Sequence, residues 1–183
     1  MEELKYTIDD STIVELLGIQ NFTNEEAAVL ELVKNAYDAK ANNLKLRFED
    51  DKLFIRDDGE GMSAVDIREH WMYVGKSDKQ YEIIDENDNK RILAGSKGIG
   101  RFALSRLGGK VEIYTKKNGC SAVIWKTDWA TSTLEEDLNN NEIGTNIIIG
   151  NLRQRWTKNV IFLRINSRRP QNSPMRCHTE GTA

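Results

Sequence analysis

One helix constrains this chain more than any other segment. Thr23-Asn24-Glu25-Glu26 reads as a capping box, with Thr23 at the N-cap and Glu26 reaching back. The apolar spacing that follows predicts a helix to about Lys40, with Val29, Leu32, Val33, Ala36 and Tyr37 gathered on one side. Glu31, Asn35 and Asp38 fall within about 60° of one another on the other side. A solvated face is the plain reading of such a stripe. Composition weakens it: solvated faces carry long Lys and Glu, whereas Asn and Asp compete with the backbone and are poor mid-helix residues. Two carboxylates and an amide at i, i+4 and i+7 therefore point to chemistry. An Asn oxygen suits a hard cation such as Mg²⁺, which takes few protein ligands when phosphates and water supply the rest. A Glu one turn earlier can orient and deprotonate a water.

Two glycine clusters supply what that stripe would face. Leu44–Phe48 and Leu53–Ile55 read as a strand hairpin ending at Asp57-Asp58-Gly59-Glu60-Gly61-Met62. An acidic turn is the ordinary reading, but two glycines also let backbone approach a flat ligand closely, and a carboxylate fixed at a strand end can accept from an exocyclic amine such as that of adenine. The second cluster, Gly95-Ser96-Lys97-Gly98-Ile99-Gly100-Arg101, opens a short helix over Phe102–Leu107. Free amides and the positive helix end converge there, with Lys97 and Arg101 adding charge, which is the chemistry of phosphate binding. Two look-alikes are set aside. Gly75-Lys76-Ser77 lacks the glycine that a Walker A loop needs five residues earlier, where His70 stands. Gly98-x-Gly100-x-x-Ala103 fits a dinucleotide fingerprint, but the following strand ends in Lys116-Lys117 rather than an acid, and the Glu31 stripe and Asp57 would be left unexplained.

The rest of the chain gives context. Residues 1–22 hold a short amphipathic stretch (Ile13, Val14, Leu16, Leu17) that reads as a helix stopped by Gly18, and Ser63 and Asp66 suit the start of a helix to about Val74. Residues 75–97 are polar and poorly periodic, the signature of a long functional segment. Val111–Tyr114 and Ala122–Trp125 read as strands joined through Asn118-Gly119, and Thr145–Ile149 as another. Residues 151–166 look helical; 167–183 lose all periodicity and read as a disordered or non-native tail, leaving 1–166 as one domain. No apolar run approaches a membrane span, and two cysteines make neither a disulfide framework nor a CxxC metal pair, which points to a cytoplasmic, reducing compartment. A net charge of −3 gives no nucleic-acid footprint to the whole chain, although Arg153, Arg155, Lys158, Arg164, Arg168 and Arg169 make its end basic; a longer parent protein is where nucleic acid would bind.

Taken together, residues 20–150 resemble the GHKL ATPases: gyrase B subunits, the ninety-kilodalton heat-shock chaperones, sensor histidine kinases, MutL proteins and their MORC relatives. Glu31–Ala39 resembles the N box, Asp57-x-Gly59-x-Gly61-Met62 the first glycine box, Gly95-x-x-Gly98-x-Gly100 the second, and Gly144-Thr145 the last nucleotide-contact motif. The resemblance is nearest to the chaperone- and MORC-like branches. It implies the Bergerat fold, a two-layer α/β sandwich whose mixed, largely antiparallel sheet is covered by helices on one face. It implies ATP and Mg²⁺ as ligands, Glu31 as general base and Asn35 as metal ligand. Asp57 and Thr145 would read the adenine, with Gly59, Gly61, Met62 and Asp38 around it. Gly95, Lys97, Gly98, Ile99, Gly100, Arg101 and Phe102 would lie along the phosphates, Lys79 would be a further ligand, and residues 75–97 would form a lid.

Three functions compete. The first is an ATP-driven conformational switch that closes its lid and associates as a homodimer, with slow hydrolysis because hydrolysing relatives draw a lysine from a following domain. The second is phosphoryl transfer to a histidine, which Glu31 disfavours. The third is a nucleotide-sensing module without catalysis.

Overall fold

The computed structural model describes residues 9–22, 24–74, 82–84, 90–92, 100–153 and 175–181. Its frame is a seven-stranded sheet in the order β7-β6-β5-β8-β2-β1-β9. β1 (Asn43–Glu49) and β2 (Lys52–Asp57) form a hairpin, turned at Asp50 with φ 52°. β5 (Gly108–Lys116), β6 (Val123–Thr127), β7 (Ser132–Glu136) and β8 (Gly144–Leu152) are antiparallel to their neighbours, and β8 joins this half to β2. β9 (Arg176–Gly181) closes the sheet parallel to β1. The sheet is thus mixed and largely antiparallel, as expected.

Alternation builds the core. Leu44, Leu46 and Phe48 of β1, Leu53 and Ile55 of β2, Val111 and Ile113 of β5, and Ile147 and Ile149 of β8 point to one face. Helices α2 (Glu25–Asp38) and α4 (Ala103–Leu107) cover that face with Val29, Leu32, Val33 and Ala36, and with Leu104 and Leu107. Burial of each large side chain contributes on the order of 1.5–3 kcal/mol.

Several details differ from the sequence reading. The N-cap of α2 is Asn24, whose side chain accepts from the Ala27 amide, and the helix ends at Asp38, with Lys40 in the left-handed region at φ 61°. Asn24 and Thr23 are both good caps; Thr23 lies outside the described residues. Gly18 does not stop the first helix. After α1 (Asp10–Val14) a π-helical turn runs on over Glu15–Gln20, and Gly18 is small because Ser105 and the Phe102 carbonyl press on it: a Cβ there would lie 1.8 Å from Ser105 Oγ. α3 (Ala64–Asp66) begins with the Ser63–Asp66 capping box and continues as a π-helical segment only to Trp71. Inside residues 75–97, β3 (Glu82–Ile84) and β4 (Lys90–Ile92) pair as a small hairpin. The helix expected over 151–166 begins inside β8, and residues 154–166 lie outside the described residues. The sequence predicts no element beyond residue 166, yet β9 pairs there with Asn43–Phe48 of β1, behind the buried Met175.

Candidate nucleotide site

α2 packs its apolar side on the sheet and turns Glu31 and Asn35 away from it, both half-buried. They do not face open solvent. Gly100, the first residue of a 3₁₀ turn that leads into α4, runs directly across them. A Cβ built on Gly100 would lie 2.9 Å from Glu31 Oε1, 3.2 Å from Glu31 Cγ and 3.5 Å from Asn35 Nδ2. Bare backbone is what allows Gly100 to sit this close to the helix. Lys34 Nζ lies 3.1 Å from the other Glu31 oxygen and holds it from the solvent side. Asp38, at the helix end, is buried.

The first glycine cluster lies against the far end of the same helix. The Glu60 amide donates to the Ala39 carbonyl at 2.8 Å, and a Cβ on Gly59 would fall 2.6 Å from that oxygen. Gly61 has φ +66° and passes so near β5 that a Cβ would meet the Lys116 carbonyl oxygen at 2.0 Å. Asp57, the last residue of β2, is opposite Thr145 in the sheet. Its carboxyl accepts from the Gly59 amide at 2.9 Å and from the Thr145 amide. Burial pushes its pKa up to about 6, with the neighbouring Asp58 charge acting in the same direction and the two amides opposing it.

Two residues that the sequence reading passed over complete this corner. Thr115, fully buried, donates to the Gly144 carbonyl at 3.0 Å, accepts from the Met62 amide at 2.8 Å and lies 3.2 Å from Thr145 Oγ1. It pins the first glycine cluster to two strands at once. Its signal is its place in the inward phase of β5, where Val111 and Ile113 predict a third apolar residue. Asp58 accepts from the amides of Asn42 and Asn43 at 2.8 and 2.7 Å and from the Asn43 side chain at 2.7 Å. Partial burial would raise its pKa, but these donors hold it below the usual carboxylate value. It therefore ties the loop to the start of β1.

The structure thus gathers Glu31, Asn35 and Gly100 along the middle of α2, and places Asp38, the last residue of that helix, at the end where Asp57, Gly59, Gly61, Met62 and Thr145 meet. Phe102 is buried beside Gly100. Arg101 donates its guanidinium to the main-chain carbonyls of His70 (2.7 Å), Trp71 and Tyr73. Lys79, Gly95, Lys97, Gly98 and Ile99 lie outside the described residues. Among the described residues no three His, Cys, Asp or Glu side chains converge on one metal position, and no helix is long and apolar enough to cross a membrane.

Over 148 residues the chain is 29% identical to the chaperone protein HtpG of Borreliella burgdorferi, covering 69% of this chain and 24% of that protein. Over 173 residues it is 26% identical to a mitochondrial TNF receptor-associated protein 1 homolog of Dictyostelium discoideum, covering 81% of this chain and 24% of that one. Over 90 residues it is 31% identical to a putative type II restriction enzyme, HgiDII, of Herpetosiphon aurantiacus, covering 49% and 14%. The chain spans about a quarter or less of these relatives. Residues 23–150 match the family of histidine kinase-, DNA gyrase B- and HSP90-like ATPases, and these bounds run from just before α2 into β8. The N-box helix, both glycine clusters and the Gly144-Thr145 strand fall inside the match, so the chain belongs to this ATPase family.

Proposed function

We propose that this chain binds Mg-ATP between α2 and the two glycine clusters, hydrolyses it slowly, and uses the bound nucleotide to switch conformation and association within a larger protein. The observation that carries the reading is the Gly100 backbone lying across Glu31 and Asn35. A phosphate-binding turn, a carboxylate and an amide then share one wall, while Asp57 and Thr145 stand beyond the C-terminal end of the same helix. In this reading Asp57 accepts from the adenine amino group and the amides of the Gly98–Gly100 turn hold the phosphates.

The donor set fits Mg²⁺: one amide, with a carboxylate a turn away, is the sparse protein ligation this ion takes beside phosphate oxygens. When bound, the ion would neutralise charge on the β- and γ-phosphates, with Asn35 as its protein ligand. Glu31 orients a water and accepts its proton as the water oxygen bonds to the γ-phosphorus and the bond to the ADP oxygen breaks. The products are ADP and inorganic phosphate. Lys34 keeps the Glu31 carboxylate in place from outside.

Closure of residues 75–97 over the nucleotide and pairing of two copies through the N-terminal helix belong to the same proposal; exposed Leu16 on the π-helical turn after α1 supports the second. A reducing, cytoplasmic setting belongs to the same proposal, since two cysteines make no disulfide framework. Calorimetric titration of the purified chain with ATP and Mg²⁺ tests the central claim. Saturable, Mg-dependent binding is expected, and absence of binding would remove the proposal. Glu31→Ala then separates hydrolysis from sensing, because it should retain intact ATP while the unsubstituted chain slowly releases ADP.

A further inference from the structure

The two ends of the nucleotide site are joined by more than α2. From the first glycine cluster the chain enters α3 through Met62, anchored to Thr115, and Ser63, whose capping box with Asp66 is itself held by Lys117 at 3.1 Å. The π-helical segment then carries the chain across to Trp71. There the last carbonyls of a helical segment lack internal donors, and the Met72 amide is the final one to turn back, onto Ile67 at 2.9 Å. Arg101 donates to the carbonyls of His70, Trp71 and Tyr73. It is also the residue after Gly100, the glycine that faces Glu31 and Asn35. A closed circuit results: first glycine cluster, α3 and its π-helical extension, Arg101, Gly100, α2, and back through the Ala39 carbonyl to Glu60.

We propose that Arg101 is a positioning residue for ATP turnover: by clasping the carbonyls of His70, Trp71 and Tyr73 it fixes the helix that follows the adenine corner to the glycine turn at the phosphates, so that both ends of the nucleotide are held in one geometry. It acts through the main chain and not as a phosphate contact. Three features favour this role. A planar guanidinium can span three carbonyls, which a lysine ammonium on one flexible stem does not do. Burial lowers its pKa to about 10, so it stays charged at neutral pH while being largely withdrawn from water. Its stem lies beside Phe102, with the guanidinium carbon 5.4 Å from the ring centre. The inference rests on reading Gly100 as the phosphate-side wall.

The test compares Arg101→Ala, Arg101→Lys and Arg101→Gln in the full chain, with adenosine and Mg-ATP titrated separately and amide exchange followed over Met72–Val74. For Arg101→Ala we expect adenosine affinity within about twofold of the unsubstituted chain, ATP affinity down about tenfold, and faster exchange at Met72–Val74 without nucleotide. Arg101→Lys should bind ATP no better than Arg101→Ala. Recovery of ATP affinity by lysine would overturn the proposal in favour of a direct charge on phosphate. Equal losses for adenosine and ATP, or no change in any measurement, would also overturn it. If Arg101→Ala does not fold by circular dichroism, Arg101→Gln, which keeps donors without the charge, carries the same comparison. An unsubstituted chain that binds neither ligand refutes the nucleotide reading itself, an outcome visible in the first titration and separate from the behaviour of the variants.

Discussion

Replacing Gly100 by alanine should silence hydrolysis while leaving the protein folded. The added methyl would lie 2.9 Å from Glu31 Oε1, about 0.5 Å inside the 3.4 Å at which ordinary van der Waals contact begins, and 3.2 Å from Glu31 Cγ. The obstacle is the end of a flexible side chain and not backbone, and Gly100 does not need a positive φ. Glu31 can therefore move aside at the expense of an off-rotamer χ angle, roughly 0.5–1.5 kcal/mol. Restricting the unfolded chain returns about 0.4–1 kcal/mol. Net stability should change by no more than about 1 kcal/mol, within a few degrees of the original melting temperature. Function responds differently, because a carboxylate displaced by several tenths of an ångström no longer meets the water it must deprotonate; misplacement near 1 Å can reduce rate about 10²-fold. Thermal melts followed by circular dichroism, Mg-ATP calorimetry and single-turnover hydrolysis of γ-labelled ATP measure the three quantities. A Gly100→Ala protein that melts normally, binds ATP and hydrolyses it at the original rate would show that Glu31 does not act where Gly100 holds it.

Glu31→Ala should lower hydrolysis by about 10²–10⁴ with ATP affinity changed by only a few-fold, read in the same single-turnover assay; an unaltered rate would assign the base elsewhere. Asp57 predicts a pH dependence. Its folded pKa, about 6, exceeds the 3.8 of an ordinary aspartate, so its contribution to stability is fully present below pH 4 and is lost as pH rises through 6. Adenine recognition runs the opposite way, since the ionised carboxylate is the better acceptor: adenosine affinity should fall up to about tenfold from pH 7 to pH 5, and Asp57→Asn should flatten the profile. Equal profiles for both proteins would place the titration on another group. Gly61→Ala should be the severe glycine change, because φ +66° disfavours a Cβ and the Lys116 carbonyl at 2.0 Å cannot yield as a side chain can. A loss of about 3 kcal/mol or more is expected in urea unfolding, and a loss under 1 kcal/mol would show that the glycine cluster is not wedged against β5.

What could be read from the residues was what is written locally. The 3.6-residue spacing of α2 separated Glu31, Asn35 and Asp38 from the apolar side because a helix repeats on a scale shorter than itself. Period-two alternation did the same for β1, β2, β5 and β8, and a Gly before a helix or after a strand marks close approach wherever it occurs. Edge strands escaped this reading. β7 is mostly exposed and Arg176–Gly181 carries no clear apolar alternation, so their pairing depends on partners distant in the chain. Arg101 escaped as well: a cation after a glycine cluster suggests an anion, and only the arrival of the His70–Tyr73 carbonyls gives it another occupation. The same holds for Thr115, which is one more β-branched residue until Met62, Gly144 and Thr145 converge on its hydroxyl. Sequence alone determined which side chains share a helix face and where backbone must be bare, because those are properties of neighbours along the chain. The tertiary structure alone decided that Gly100 crosses Glu31 and that Asp57 loses its water, because contact and burial are set by segments that meet only after the sheet has closed beneath them.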